Sequence, residues 1–158
     1  MPLSQKENQL LQDQKTHEKI CIQKYQKYAQ QASDPKLKQL FESYATQEQQ
    51  HLNTIDSILN GQVPSMNQSQ NSQSTQSGQN SSQAQSTTSQ SGASQADATL
   101  CTDMLMTEKY VSSAYDTAIF EFTDSNVRQA LNHIQKEEQG HGEGIFNYLS
   151  SQNMYNVQ

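Results

Sequence analysis

The stretch from Asp34 to Asn60, DPKLKQLFESYATQEQQHLNTIDSILN, decides the fold, and Asp124 to Ser150, DSNVRQALNHIQKEEQGHGEGIFNYLS, repeats its plan. In the first stretch Leu37, Phe41, Tyr44, Glu48, His51, Ile55 and Ile58 recur at spacings of three and four, the period of one helix face. Asp34 suits an N-cap, Pro35 suits the first helical turn, and Asn60-Gly61 suits a C-cap. In the second, Val127, Leu131, Ile134, Glu138, His141, Ile145 and Tyr148 form the same stripe, with Asp124 or Ser125 as cap.

Working outward, residues 4–32 contain neither Pro nor Gly and are rich in Gln, Lys, Glu and Leu, all good helix formers. Leu100, Met104, Glu108, Val111, Tyr115, Ala118 and Phe122 make a fourth stripe, ended by Thr123-Asp124-Ser125. The sequence thus predicts one helical hairpin in residues 1–60 (helices about 4–32 and 35–60) and another in 97–158 (helices about 97–123 and 125–152). Adding 90 to a position in the first hairpin lands on its counterpart in the second: Glu18 on Glu108, Tyr25 on Tyr115, Glu48 on Glu138, His51 on His141. Four helices of about 26 residues, each roughly 39 Å long at 1.5 Å per residue, predict an all-α four-helix bundle.

Between the hairpins the composition changes. The chain has 158 residues and a net charge of −6, yet no residue from Ser57 to Ala96 is charged. This tract of Gln, Ser, Asn and Thr lacks the apolar surface to order itself, so residues 61–96 are expected to form a disordered crossover linker. Fully extended it would reach roughly 130 Å. Two readings stay open for it: a passive tether, or a self-associating polar segment. No apolar run approaches the roughly 20 residues of a membrane span. The segment MPLSQKENQLLQDQK lacks the apolar stretch of a secretory signal peptide. The acidic balance opposes nucleic-acid binding, which needs a basic stripe. Cys21 and Cys101 are too few for a disulfide scaffold, sit in no CxxC, and are expected to behave as small buried apolar residues.

What occupies the core stripes is more specific. Glu18, Glu48, Glu108 and Glu138, with His51 and His141, stand where apolar residues should. Buried carboxylates cost several kcal/mol unless paired or metal-bound, and no Lys or Arg on these stripes neutralises four of them. Glu18 lies 16 residues before Asp34, while Glu48 and His51 lie 14 and 17 after it, so all three fall at one level of an antiparallel hairpin. The second hairpin repeats this count around Asp124. Glu-x-x-His puts both side chains on one helix face. One Glu from each of two helices, plus Glu-x-x-His from each of the other two, is the di-metal pattern of ferritin-like carboxylate proteins. On that pattern Glu48 and Glu138 bridge two divalent ions, Glu18 and Glu108 are terminal, and His51 and His141 take one ion each. The donor set suits iron or manganese and also accepts zinc. Without metal, the same residues would be a vestigial site of protonated or hydrated carboxylates. Tyr25 and Tyr115 are expected to pack in the core, with hydrogen bonding near the site as the other reading, and His17 and His133 to lie on the solvated surface, with support of the ligands as the other reading.

Residues 99–155 resemble the Coat F domain of spore coat proteins. The resemblance is carried by Thr107-Glu108-Lys109, Ser113-Ala114-Tyr115, Ile119-Phe120-Glu121-Phe122, Glu137-Glu138 with His141, and Ile145-Phe146-Asn147-Tyr148. Members often end in Gly-Trp-Tyr, whereas this chain has Asn153-Met154-Tyr155. The resemblance implies a ferritin-like bundle, synthesis in the mother-cell cytoplasm, and placement in the spore coat. Its partners would be other spore coat proteins or further copies of itself. The metal pattern supports an alternative of another class, a di-manganese or di-iron enzyme that dismutates or reduces peroxide. A rubrerythrin-like electron path would need paired CxxC motifs, which are absent.

Overall fold

The computed structural model describes residues 2–64 and 93–155. Four helices run α1 (Gln5–Gln31), α2 (Pro35–Leu59), α3 (Gln95–Glu121) and α4 (Ser125–Ser151). α1 packs on α2, α3 on α4, and the hairpins dock through α1 with α3 and α2 with α4. The described residues form an all-α bundle without strands. The expected disorder of the linker falls mainly on residues 65–92, which lie outside the described residues.

The duplication extends to the helix ends. Ser4 and Ser94 each close a capping box, with Glu7 and Asp97 respectively. Asp34 and Asp124 each cap the second helix of their hairpin, and Pro35 occupies the first turn of α2. The Ser94–Asp97 box starts α3 two residues ahead of the sequence expectation, inside the stretch assigned to the linker. Past α2, Gly61 takes φ +79, and its N–H bonds the Ile58 carbonyl at 2.9 Å.

Those cap carboxylates also join the hairpins. Asp97 accepts from the Ser33 N–H at 2.9 Å, the Ser33 hydroxyl at 2.7 Å and the Asp34 N–H at 3.1 Å, tying the start of α3 to the α1–α2 turn. At the far end Glu7 accepts from the Thr123 N–H at 3.2 Å, tying the start of α1 to the α3–α4 turn.

The apolar core comes in two pieces. One gathers Leu11, Ile55, Ile58, Ala118, Phe122, Val127 and Leu131. The other gathers Ala29, Leu37, Phe41, Ala98, Met104, Ile145 and Leu149. The first holds the early part of α1 and the late part of α2; the second holds the early part of α3. The end of α2 and the start of α3 therefore lie at opposite ends of the bundle. Each fully buried Leu or Ile contributes about 1.5–3 kcal/mol. What separates the two pieces is a layer of polar side chains.

Asp97→Ala should lower the unfolding free energy by about 2 kcal/mol, because it leaves the buried Asp34 N–H and the partly buried Ser33 N–H without that acceptor. Backbone N–H donors hold the Asp97 carboxyl below its ordinary value, although burial opposes this. Its contribution is therefore present above the unfolded-state pKa and fades as pH falls through the lower folded value. Urea unfolding at pH 7 and pH 3 checks both: the gap between wild type and variant should narrow in acid.

Candidate metal centre

The separating layer holds Glu18 on α1, Glu48 and His51 on α2, Glu108 on α3, and Glu138 and His141 on α4. All six side chains are buried, none more than 2% exposed. They fall into two overlapping groups, Glu18–Glu48–His51–Glu138 and Glu48–Glu108–Glu138–His141. Within each group, one ligand atom per residue lies within 4.8 Å of the others. Glu48 and Glu138 belong to both. The six residues singled out by spacing thus meet at one level.

The imidazoles point Nδ1 inward. His51 Nδ1 lies 3.0 Å from Glu48, 3.3 Å from Glu138 and 3.6 Å from Glu18. His141 Nδ1 lies 3.2 Å from Glu48, 3.3 Å from Glu108 and 3.6 Å from Glu138. Proximity here is mostly not hydrogen bonding. Glu18 Oε2, Glu48 Oε1, Glu108 Oε2, both Glu138 oxygens and His141 Nδ1 are buried with no hydrogen-bond partner. Buried polar atoms left unpaired in such number are rare, because each costs about 1–3 kcal/mol. Oxygen and imidazole donors converging without partners of their own are groups that could hold a metal ion. Among the described residues, no Lys or Arg pairs with any of the four carboxylates.

The surrounding contacts cross between hairpins. Tyr25 donates its hydroxyl to Glu108, and Tyr115 donates to Glu18. The two tyrosines thus pack in the core as expected and also make the hydrogen bond that was the other reading of them. Both are fully buried, and a buried phenol needs an acceptor, which the facing carboxylate supplies. Outward, His51 Nε2 meets Glu137 at 2.6 Å, while His141 Nε2 meets the Gln47 side-chain oxygen. Gln47 and Glu137 are repeat counterparts one residue before the shared glutamates, and sequence reasoning missed them. The available signal was a polar residue at the same offset in both copies. A carboxylate behind one imidazole and an amide behind the other makes the two halves chemically unequal.

His133 is exposed, as expected, though its Nε2 stands 3.4 Å from Glu137. His17 is half-buried, edge-on to Tyr110 at 5.4 Å between ring centroids. Tyr44 lies against His141, centroids 4.2 Å apart, and Gly144 leaves room for its hydroxyl. Cys21 and Cys101 are buried free thiols, as the sequence implies.

Protonation follows from this crowding. Burial pushes Glu18 well above the usual carboxylate range and Glu108 up to about 8. Burial disfavours ionised Glu48 and Glu138 too. The two imidazoles beside each of them, and the Glu108 carboxyl beside Glu138, outweigh it and hold both below their ordinary value. Burial likewise opposes charging the imidazoles, but the surrounding carboxylates win, raising His141 to about 11 and His51 further.

A groove of about 610 Å³ between α3 and α4 reaches this layer, with Glu108 and Glu138 among its lining residues. No helix among the described residues is long and apolar enough to cross a membrane.

Residues 96–158 match the sequence profile of the Coat F domain. No curated protein matches the chain. A two-domain protein from Anabaena variabilis, containing DJ-1/ThiJ/PfpI-like and ferritin-like domains, is similar in structure, with a TM-score of 0.69 at 15% identity. The alignment covers 96% of this chain and 38% of that protein, and at this identity the likeness speaks for the fold alone. Residues 96–158 are thus similar to the Coat F domain, and the two hairpins together build a bundle of ferritin-like fold.

Proposed function

We propose that this chain is a spore coat component whose bundle holds two divalent metal ions, iron or manganese, on Glu18, Glu48, His51, Glu108, Glu138 and His141. The metal reading is carried by the two four-residue groups that share Glu48 and Glu138. The coat reading rests on the Coat F domain, with a neutral Gln/Ser/Asn tract suited to tethering or self-association. Glu48 and Glu138 would bridge the ions, Glu18 and Glu108 would cap them singly, and each imidazole would offer Nδ1 to one. Tyr25, Tyr115, Gln47 and Glu137 would orient those ligands from outside.

Charge supports the reading. Metal-free at neutral pH, the layer carries protons on Glu18, Glu108, His51 and His141, while Glu48 and Glu138 are ionised. Two imidazolium charges then balance two carboxylates. Exchanging those four protons for two divalent cations leaves the buried layer neutral again.

A second reading, a peroxide-dismutating or peroxide-reducing oxidoreductase, is favoured by the groove whose lining includes Glu108 and Glu138. Bound redox-active ions would supply the electrons for cleaving an O–O bond. The chain would position them and keep the surrounding core dry.

Protein purified without chelator or nickel should carry close to two iron or manganese per chain by mass spectrometry, and Glu138→Ala should lose both. No metal above the variant's level, even after anaerobic loading with Fe(II) and Mn(II), would overturn the metal reading. Peroxide consumption that survives Glu138→Ala unaltered would remove the enzyme reading. Loading at pH 7 should release up to about four protons per chain into weakly buffered solution, and affinity should fall as pH is lowered from 8 to 6. Uptake without proton release would contradict this protonation scheme. For the coat reading, the protein should partition into detergent-insoluble spore coat extracts; recovery as a freely soluble mother-cell monomer would count against it.

A further inference from the structure

The two hairpins are copies, so a difference between equivalent faces is informative. In the second hairpin the α3–α4 groove opens onto Glu108 and Glu138 beside Leu105, Ser112, Gly142 and Phe146. Ninety residues earlier, these four positions hold Lys15, Ile22, Leu52 and Asp56. Ile22 and Leu52 are buried, filling the space that Ser112 and Gly142 leave free. Lys15 and Asp56 form an ion pair at 2.5 Å, where the second hairpin presents apolar Leu105 and Phe146. One face is plugged and the other is open.

We infer that the α3–α4 groove is a binding site for a compact neutral molecule with a hydrocarbon body and a hydroxyl-type head, an alcohol, phenol or organic hydroperoxide. The body would lie against Leu105, Phe146 and Tyr155, whose ring meets Phe146 edge-on at 4.9 Å between centroids. At the inner end, both Glu138 oxygens are buried without hydrogen-bond partners. These acceptors call for a donor, which a hydroxyl or hydroperoxyl group supplies. The charged lining residues Asp116, Glu143 and Lys109 leave the mouth net negative, which selects against anions. A volume of about 610 Å³ suits a small organic ligand and far exceeds what hydrogen peroxide needs. As an entrance to the metal centre the groove rests on the reading above; as a binding site it stands on the metal-free geometry.

The test uses the full-length, metal-free chain and 2-phenylpropan-2-ol as probe, followed by NMR. Saturable shifts of Leu105, Phe146 and Tyr155 are expected at millimolar probe. A Cβ at Gly142 would meet only Leu105, at an ordinary 3.7 Å, so Gly142→Ala should bind like wild type. Gly142→Leu, copying Leu52, and Ser112→Ile, copying Ile22, should each weaken binding at least tenfold while circular dichroism stays unchanged. Phenylacetate, of similar size but anionic, should also bind at least tenfold more weakly. The inference is overturned if no groove resonance shifts saturably in wild type, if both folded plugging variants bind as well as wild type, or if phenylacetate binds equally. Should the chain take up no metal while these shifts appear, the groove stands and the metal reading falls. Two bound metals without the shifts would mean the reverse.

Discussion

Four carboxylates sealed in the middle of a helical bundle set the terms for everything around them. Desolvating a single carboxylate is expensive, and four at one level would drive the helices apart unless positive charge arrives with them. No Lys or Arg among the described residues supplies it. Burial raises Glu18 and Glu108, and the carboxylates raise both imidazoles, which favours protons on these four groups; metal cations would take their place by exchange. Each imidazole also stands beside carboxylates of both hairpins, so these contacts require four helices in one register. The two apolar clusters on either side fix that register from above and below.

The same layer binds the hairpins to each other. Each tyrosine hydrogen-bonds the terminal glutamate of the opposite hairpin, and each outward imidazole nitrogen finds its partner across the α2–α4 contact. The cap carboxylates Glu7 and Asp97 reach across in the same sense at the bundle ends. The second hairpin alone supplies Glu108, Glu138 and His141, half of the buried layer. The first hairpin is therefore needed to complete the site as well as to cover its core.

Periodicity and the 90-residue repeat made the helices, both turns and the six central residues legible, because each leaves a mark within one helix or at one fixed offset. Counting residues from Asp34 and Asp124 even gave the common level. Spacing left the tyrosine hydroxyl bonds as one of two readings and could not give their acceptors, since Tyr25 and Tyr115 sit on core stripes like any packed aromatic and those acceptors belong to the other hairpin. Gln47 and Glu137 were hidden for a related reason: a polar residue beside a core position reads as solvated until a neighbouring helix is laid over it. The early start of α3 escaped because Ser94 and Asp97 border a tract whose composition hides a capping box.

Duplicated folds also reveal where the copies ceased to be equivalent. Positions that both copies need for the shared centre are retained, whereas Gln47 against Glu137, Ile22 against Ser112, and Leu52 against Gly142 have diverged. The first difference makes the two imidazoles unequal donors: His51 is backed by a carboxylate and pushed further up than His141, which is backed by an amide. The other two remove a buried Leu and a buried Ile from one face. Had the layer only to hold the helices together, the better-packed version would serve on both sides, since a buried Leu reduced to Ala alone costs about 2–5 kcal/mol. Packing gives no reason for an open face above partnerless carboxylates, whereas the entry of a ligand does.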